Sequence, residues 1–181
     1  MWHGDTARVI DVPDAVRRSV ESRGPAGRAW LAALPGLVEE LCGEWSLSLD
    51  GDVLGGGKWA YVARVRRADG TDAVLKVASP TQGFAGQVAT ITAAAGRGYV
   101  RLYDADSARH ALLMESLGPM LSATARSIEQ TLDTLGATLL EAWRVRPPVR
   151  ATAMPPGFSV VGGLIGILDE WPFLGRPCSP S

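Results

Sequence analysis

Residues 45–78 read WSLSLDGDVLGGGKWAYVARVRRADGTDAVLKVA, and this stretch decides the fold. Three runs in it have the alternation and composition of β-strands, and they cover residues 45–50, 58–67 and 72–78. Asp50-Gly51 predicts a turn at the end of the first run, and Ala68-Asp69-Gly70-Thr71 predicts a hairpin between the second and third. The stretch therefore predicts a three-stranded antiparallel meander, with the glycine-rich turn Gly55-Gly56-Gly57 between its first two strands.

The residues before this stretch follow a helical period. The helical pattern runs from Pro13 to about Trp45 and is interrupted by Gly24-Pro25-Ala26-Gly27. Pro35 lies inside the second part, where it removes a helical hydrogen bond. We therefore expect two short helices or a kink at this proline.

The residues after the meander change period several times. A helix is predicted from about Gly83 to Ala95, followed by strands from Tyr99 to Tyr103 and from His110 to Glu115. Gly118-Pro119 then breaks the chain. A long amphipathic helix is predicted from about Ser122 to Trp143, and its apolar face consists of Ile128, Leu132, Leu135, Leu139 and Leu140.

Together these elements predict an α+β fold, in which one helix packs against a five-stranded antiparallel sheet. The predicted organisation is an N-terminal helical extension over residues 1–44 and a sheet domain over 45–118. A linker helix then occupies residues 119–150, and an irregular tail occupies 151–181. The tail is rich in glycine and proline, and its apolar run Val160 to Leu168 is long enough for one short helix.

Composition argues against several classes of function. The 181 residues carry a formal net charge of −1 without a basic tail or stripe, so neither nucleic acid nor an anionic membrane is an expected partner. No apolar run reaches the roughly 18 residues of a membrane span, and no signal-peptide core is seen, so the cytoplasm is the expected location. The two cysteines, Cys42 and Cys178, lie far apart, and two histidines supply a zinc site poorly.

Lys76 and the glycine triplet are the candidate chemical residues. Lys76 shares its strand face with Val74 and Ala78, and a lysine between apolar neighbours needs an anionic partner or must extend to water. Lysine is otherwise scarce, since arginine makes up all of the 18 basic residues except Lys58 and Lys76. Glycine lets backbone N–H groups approach phosphates closely. Two simpler explanations stay open: glycine triplets are common in loops, and an edge-strand lysine can hold its ammonium in solvent.

Four segments carry a resemblance to a known family: Gly55 to Gly57, Ala73 to Val77, Gly96 to Leu102, and Ala111 to Glu115. They are similar to the aminoglycoside and hydroxyurea antibiotic-resistance kinases, which are relatives of the streptomycin phosphotransferases. The segment Trp30 to Pro35, with Trp45, also resembles the N-terminal helices and first strand of that family. The resemblance covers roughly residues 10–150. It implies a protein-kinase-like N-terminal lobe that leads into a second, C-terminal lobe, with ATP and Mg²⁺ as cofactors.

The resemblance also implies a nucleotide site. Its residues would be Gly55, Gly56, Gly57, Val62, Ala73, Lys76, Met114, Glu115 and Leu117. The three glycines would cover the phosphates, and the lysine would bind the α- and β-phosphates. Residues 114–117 would form the hinge, where backbone groups of Glu115 and Leu117 meet the adenine edge. Val62 and Ala73 would form the apolar roof of the adenine pocket.

The first departure from the family's pattern concerns the partner of the lysine. The family's helix after the lysine strand carries a glutamate that pairs with it, and here the best match is Gln87. An amide can donate or accept a hydrogen bond but cannot neutralise charge. No acidic residue occurs between Asp72 and Asp104, so we expect the ion pair to be missing.

The second departure concerns the catalytic loop. The family supplies a His-Gly-Asp loop and a following Asp from its C-terminal lobe, whereas the only acidic residues after Glu141 are Asp169 and Glu170. The chain contains no asparagine, and His3-Gly4-Asp5 precedes the lobe, which makes that tripeptide a coincidence. Residues 169–179 resemble the segment before the family's catalytic loop only in part. The chain is therefore expected to be truncated.

Two functions follow from these observations. The first is an ATP-dependent phosphotransferase that acts on an alcohol group of a small antibiotic-like molecule, with no turnover by this chain alone. The alternative is a non-catalytic nucleotide- or partner-binding remnant of a kinase lobe, and sequence does not separate it from an inert remnant. In such a remnant the helix from Ser122 to Trp143 and the tail would expose apolar surface, which favours self-association.

Overall fold

The computed structural model describes residues 10–55, 57–80, 83–119 and 121–146. Its α-helices are α1 (Asp14–Glu21), α2 (Pro25–Glu44), α3 (Phe84–Ala94) and α4 (Ile128–Arg144). Its strands are β1 (Leu47–Val53), β2 (Ala60–Arg67), β3 (Asp72–Ala78), β4 (Leu102–Asp106) and β5 (Ala111–Glu115), and a single 3-10 turn covers Leu121–Ala123. The tripeptide at residues 3–5 and the tail at 151–181 lie outside the described residues.

The five strands form one antiparallel sheet in the order β1-β2-β3-β5-β4, which confirms the predicted sheet. The turn predicted at Asp50-Gly51 is wrong, because β1 continues to Val53. The pairing of β1 with β2 instead shifts register between Leu49 and Val53. Gly51 therefore lies within an irregular part of the strand and not in a turn. β4 begins at Leu102 and not at Tyr99, after Gly96 and Gly98 have adopted positive φ angles.

The N-terminal helices pack on one face of the sheet and share its core. Every second residue of β3 belongs to this core, which also contains Val20 of α1 and Leu34 of α2. Helix α2 is continuous through Pro35, so the prediction of two short helices is wrong. Pro35 is exposed, and the carbonyl that loses its partner can therefore be hydrated.

The opposite face of the sheet carries α3. Phe84 and Ile91 of α3 pack with Leu112 of β5, and Val62 and Met114 lie at the edge of the same cluster. The sheet therefore has helices on both faces, whereas the sequence predicted one helix against it. This second face also carries Lys76, and it is the face on which the candidate site lies.

Helix α4 begins later than predicted, at Ile128 and not near Ser122. The cause is a capping box, in which the Ser127 hydroxyl accepts from the Gln130 N–H and the Gln130 side chain accepts from the Ser127 N–H. The apolar residues of α4 lie on its exposed side. Within the part of the chain that the structure describes, no helix is long and apolar enough to cross a membrane.

Candidate functional site

Lys76 lies in the middle of the sheet with apolar side chains on both sides. It pairs with Val62 of β2 and with Leu112 of β5. Side chains directly opposite each other on neighbouring strands lie about 5 Å apart at Cβ, so both contact the lysine stem. Leu112 is fully buried and Val62 partly so, and the lysine stem therefore lies between apolar side chains.

The environment of Lys76 disfavours its charge. Burial lowers the pKa of the Lys76 ammonium below its ordinary value. None of the carboxylates in the described residues lies within 4.0 Å of it. Gln87, which the sequence analysis matched to the family's glutamate, is exposed on α3. A partly desolvated cation without a counter-ion is a site to which a polyanion can bind with little competition from the protein itself.

The structure separates the two residues predicted to form the roof. Val62 lies on the face of Lys76, but Ala73 lies on the opposite face, fully buried against the N-terminal helices. Because side chains alternate along a strand, the neighbour that shares the face of Lys76 is Val74. Val74 therefore replaces Ala73 as the β3 residue of the candidate roof.

A cleft of about 490 Å³ opens on this face, at the end of β5. Its lining residues are Leu54, Gly55, Arg64, Val74, Val100, Met114, Glu115, Ser116, Leu117, Gly118 and Pro119. The cleft therefore brings together the predicted residues Gly55, Met114, Glu115 and Leu117. Val62 and Lys76 are not among its lining residues, although Lys76 is two positions from Val74 on the same strand face.

The predicted hinge leaves the sheet at Glu115. The Glu115 N–H donates to the Arg101 carbonyl at 2.9 Å, and Glu115 Oε1 accepts from the Arg101 N–H at 2.7 Å. These bonds occupy the Glu115 amide, so the main-chain group that it can offer to a ligand is its carbonyl. Leu117 is exposed at the edge of the cleft.

Arg64 is a cleft residue that sequence reasoning missed. It pairs with Val74 across β2 and β3, and its Nη1 donates to the Ser116 hydroxyl of the hinge at 3.4 Å. The available signal was the spacing of two that places Arg64 on the face of Val62. Arginine is so frequent in this chain that the sequence alone does not distinguish Arg64 from the other arginines.

The two stems of the glycine-rich turn are fixed to the sheet. The Leu54 N–H donates to the Val62 carbonyl at 2.8 Å, and the Ser79 N–H donates to the Trp59 carbonyl at 2.9 Å. Gly56 lies outside the described residues. Gly55 has no positive φ, and a Cβ there would meet no atom within 4 Å, so packing gives no reason for glycine. Open space over this backbone is compatible with close approach of a ligand.

An arginine from the connection between α1 and α2 holds the second stem. The Arg23 guanidinium lies 4.2 Å from the centre of the Trp59 ring and donates to the Pro80 carbonyl at 3.2 Å. It also donates to the hydroxyl of the buried Ser79 at 3.4 Å. The connection between α1 and α2 is thus tied to both the glycine-rich turn and the end of the lysine strand.

The sheet, the lysine and the cleft beside the predicted hinge are consistent with the N-terminal lobe of a kinase. Residues 44–155 match the family model of the aminoglycoside/hydroxyurea antibiotic resistance kinases. The chain therefore belongs to this family.

Individual relatives agree with the family. The chain is 35% identical to streptomycin 6-kinase of Streptomyces griseus over 164 residues, which is 89% of this chain and 50% of that protein. It is 34% identical to streptomycin 6-kinase of Streptomyces glaucescens over 170 residues, 92% of this chain and 53% of that protein. Hydroxyurea phosphotransferase of Kitasatospora aureofaciens is 37% identical over 117 residues, 64% of this chain and 34% of that protein. The chain spans about half the length of the two streptomycin kinases that it matches.

Proposed function

We propose that this chain is the nucleotide-binding half of an ATP-dependent phosphotransferase that modifies an alcohol group of a small antibiotic-like molecule. The names of the relatives support the reaction class, because they are streptomycin 6-kinases and a hydroxyurea phosphotransferase. In this proposal residues 45–118 form the nucleotide lobe, and α4 leads toward the acceptor side.

Lys76 is the observation that carries the proposal. Lys76 is partly buried, burial lowers the pKa of its ammonium, and none of the described carboxylates lies within 4.0 Å of it. The α- and β-phosphates of a nucleotide would supply the missing negative charge. The apolar side chains of Leu54, Val74 and Met114 would receive the adenine, with the Glu115 carbonyl and the Leu117 amide at its edge.

The described residues do not provide a ligand set for Mg²⁺. The described residues contain no group of three or more His, Cys, Asp or Glu side chains that could hold a metal ion. Mg²⁺ would therefore be associated with the nucleotide phosphates, where it neutralises charge. The proposal assigns no metal ligand and no catalytic base to the described residues, and we expect the 181-residue chain to bind nucleotide without transferring phosphate.

The experiment that tests the proposal is a thermal-shift titration with ATP and Mg²⁺. At a hundredfold excess over Kd a ligand stabilises by about 2.7 kcal/mol, which raises Tm by roughly 5 to 10 °C for a chain of this size. Lys76→Met keeps the apolar stem and removes the charge, so the shift should disappear. Arg66→Met removes an exposed cation of β2 and should leave the shift intact.

The outcome of this titration distinguishes the nucleotide-binding half of a phosphotransferase from a non-catalytic remnant. An ATP shift that is lost only in Lys76→Met supports a working phosphate site. If ATP does not raise the Tm of the parent chain, the proposal is contradicted. That result would favour a kinase lobe that keeps its fold without binding nucleotide. Phosphorylation of streptomycin by the 181 residues alone would contradict the expected lack of turnover.

A further inference from the structure

One pair of residues joins the glycine-rich turn to the end of the lysine strand. Beyond the regular pairing of β2 with β3, the Ser79 N–H donates to the Trp59 carbonyl at 2.9 Å. Gly57, the last glycine of the turn, lies two residues before Trp59. Lys76 lies three residues before Ser79. The Trp59–Ser79 pair is therefore the connection between the turn and the lysine that lies nearest to both along the chain.

A single side chain, that of Arg23, contacts both members of this pair. Its guanidinium lies 4.2 Å from the centre of the Trp59 ring, and its Nη1 donates to the Ser79 hydroxyl at 3.4 Å and to the Pro80 carbonyl at 3.2 Å. A planar guanidinium can stack on an aromatic ring while its N–H groups donate hydrogen bonds. Ser79 is 2% exposed, and a buried hydroxyl requires a hydrogen-bond partner. Arg23 provides one.

The backbone that carries Arg23 is fixed to both N-terminal helices. The Arg23 N–H donates to the Val20 carbonyl of α1 at 3.1 Å, and the Gly24 N–H donates to the Glu21 carbonyl at 2.9 Å. Gly24 has a φ of 77° and is the N-cap of α2. Val20 is fully buried in the core that these helices share with the sheet. Core packing therefore sets the position of Arg23 relative to the sheet.

Arg23 contacts the face of the sheet that is opposite to the candidate site. Val77 belongs to the core covered by α1 and α2, and because side chains alternate along a strand, Ser79 lies on the same face. Trp59 is paired with Ser79 and shares that face. Lys76 lies on the other face, beside α3. The route from Arg23 to a ligand beside Lys76 therefore runs through the backbone of the Trp59–Ser79 pair.

We infer that Arg23 is a positioning residue for the phosphate end of the nucleotide site and acts through the Trp59–Ser79 pair. The inference rests on the proposed function, in which the glycine-rich turn covers the phosphates and Lys76 binds them. A turn that must be ordered when the ligand binds lowers the affinity, whereas a turn held in place by the fold does not. Arg23 therefore strengthens the binding of ATP but not that of adenosine, which has no phosphates.

Titrations of Arg23→Met with ATP and Mg²⁺, and separately with adenosine, test the inference. Because Arg23 is exposed, its contacts are of modest strength, and we expect the dissociation constant for ATP to rise by about 3- to 10-fold. The dissociation constant for adenosine should not change. Arg28→Met removes an exposed arginine of α2 and should change neither constant. All titrations are made well below the Tm of each variant, so that unfolding does not contribute.

Two further variants separate positioning from general stability. Trp59→Leu removes the ring on which Arg23 stacks. If the two side chains act together, Arg23→Met/Trp59→Leu should bind ATP no more weakly than the weaker of the single variants. Arg23→Lys keeps a cation that can lie over the ring but loses the planar fork of donors, so it should recover part of the ATP affinity.

Amide hydrogen exchange of the nucleotide-free chain measures the positioning step by itself. Arg23→Met should exchange about threefold faster or more in residues 54–60 and at Ser79, because this part of the sheet opens more readily, whereas Arg28→Met should match the parent. Unchanged exchange in Arg23→Met would overturn the inference.

The titrations distinguish failure of this inference from failure of the proposed function. If the parent binds ATP and Arg23→Met binds it equally well, or loses ATP and adenosine affinity to the same extent, Arg23 does not position the phosphate end. If the parent itself does not bind ATP, the proposed function is contradicted, and the positioning role falls with it even if exchange is faster in Arg23→Met.

Discussion

At the scale of single residues, Lys76 is a cation that folding moves into a less polar environment. Its folded-state pKa lies below its ordinary value of 10.5 because burial disfavours the charged form. The folded state therefore binds its proton less tightly than the unfolded state does. It follows that the charged lysine opposes folding below the lowered pKa, and that this cost is relieved as pH rises through that pKa toward 10.5.

Lys76→Met should consequently leave the nucleotide-free protein as stable as the parent at pH 7, or more stable. The parent should gain on the variant as pH is raised toward 10.5, because only the parent can release a proton. Melting curves without nucleotide between pH 7 and 10 measure this difference. A variant that is markedly less stable at pH 7 would indicate that the ammonium has a structural partner.

Arg64 should act on nucleotide binding through the hinge. Its bond to the Ser116 hydroxyl connects β2 to the segment that follows β5. Arg64→Met removes this bond but keeps most of the apolar stem, so we expect ATP binding to weaken by about 3- to 10-fold, roughly 0.7 to 1.4 kcal/mol. The measurement is the dissociation constant from a calorimetric or thermal-shift titration, with Arg66→Met on the same strand as the control.

Ser116→Ala distinguishes whether Arg64 acts by positioning the predicted hinge or through the charge of its guanidinium. If Arg64 acts through the hydroxyl, Ser116→Ala weakens ATP binding as much as Arg64→Met does, and the double variant loses no more. Additive losses would instead assign a direct role to the guanidinium charge.

At the scale of elements, the junction of α1 and α2 depends on one glycine. A Cβ on Gly27 would overlap the backbone carbonyl of Val20, whereas a Cβ on Gly36 would meet no atom within 4 Å. Both glycines belong to α2, where alanine is the better helix former. Steric demand and helix propensity therefore favour opposite outcomes at these two positions.

Gly27→Ala should destabilise the protein by about 1 to 3 kcal/mol, because the overlapping atoms are backbone atoms that move only with the helix. Gly36→Ala should stabilise it by about 0.5 to 1 kcal/mol. Urea unfolding of both variants gives the two free energies. Equal effects in the two variants would show that α1 and α2 do not approach closely at Gly27.

At the scale of the whole molecule, Arg109 ties the end of α2 to the turn between β4 and β5. Its Nε donates to Asp106 at 2.7 Å, its Nη1 donates to Glu44 at 2.9 Å, and its Nη2 also donates to Glu44. The Arg109 side chain is three-quarters buried. Hydrogen bonds from Arg109 lower the pKa of Glu44 and of Asp106 below their ordinary values of 4.5 and 3.8.

Acid should therefore weaken this connection. Carboxylates with a lowered folded-state pKa stabilise the protein above their ordinary pKa, and this contribution is lost as pH falls through the lowered values. Arg109→Met should reduce Tm at pH 7 and flatten the fall of Tm below about pH 4.5. Melting curves from pH 3 to 7 test this, and Arg66→Met, whose ion pairs are exposed, should follow the parent. If the Tm of Arg109→Met falls with acid as steeply as that of the parent, the hydrogen bonds of Arg109 are not the cause of this pH dependence.

The predicted boundary at residue 44 does not divide the core. The N-terminal helices bury their apolar side chains on the same sheet face as β2, β3 and β5. Arg23, in the connection between these helices, adds a cation–π contact to Trp59 beside the glycine-rich turn. The N-terminal helical extension is therefore part of the structure that positions the candidate site.

The sequence by itself determined the sheet, the order of its helices and strands, and the lysine strand. Period-two patterns and turn residues are local properties, and they located β2 and β3 to within about two residues at each end. Local signals failed where two of them competed. At Asp50-Gly51, pairing with β2 outweighed the turn signal. Near Ser122, the helix did not begin as predicted, because the cap at Ser127 fixes the start of α4.

Only the tertiary structure decided which β3 residues face the candidate site. Ala73, Val74 and Leu75 are all apolar, so their sequence does not reveal which face each side chain covers. The choice was made by packing, because α1 and α2 cover the face of Ala73, while α3 lies on the face of Lys76. The bond from Arg64 to Ser116 likewise joins residues 52 positions apart. Contacts of this kind depend on how strands are placed side by side, and that placement is a property of the whole fold.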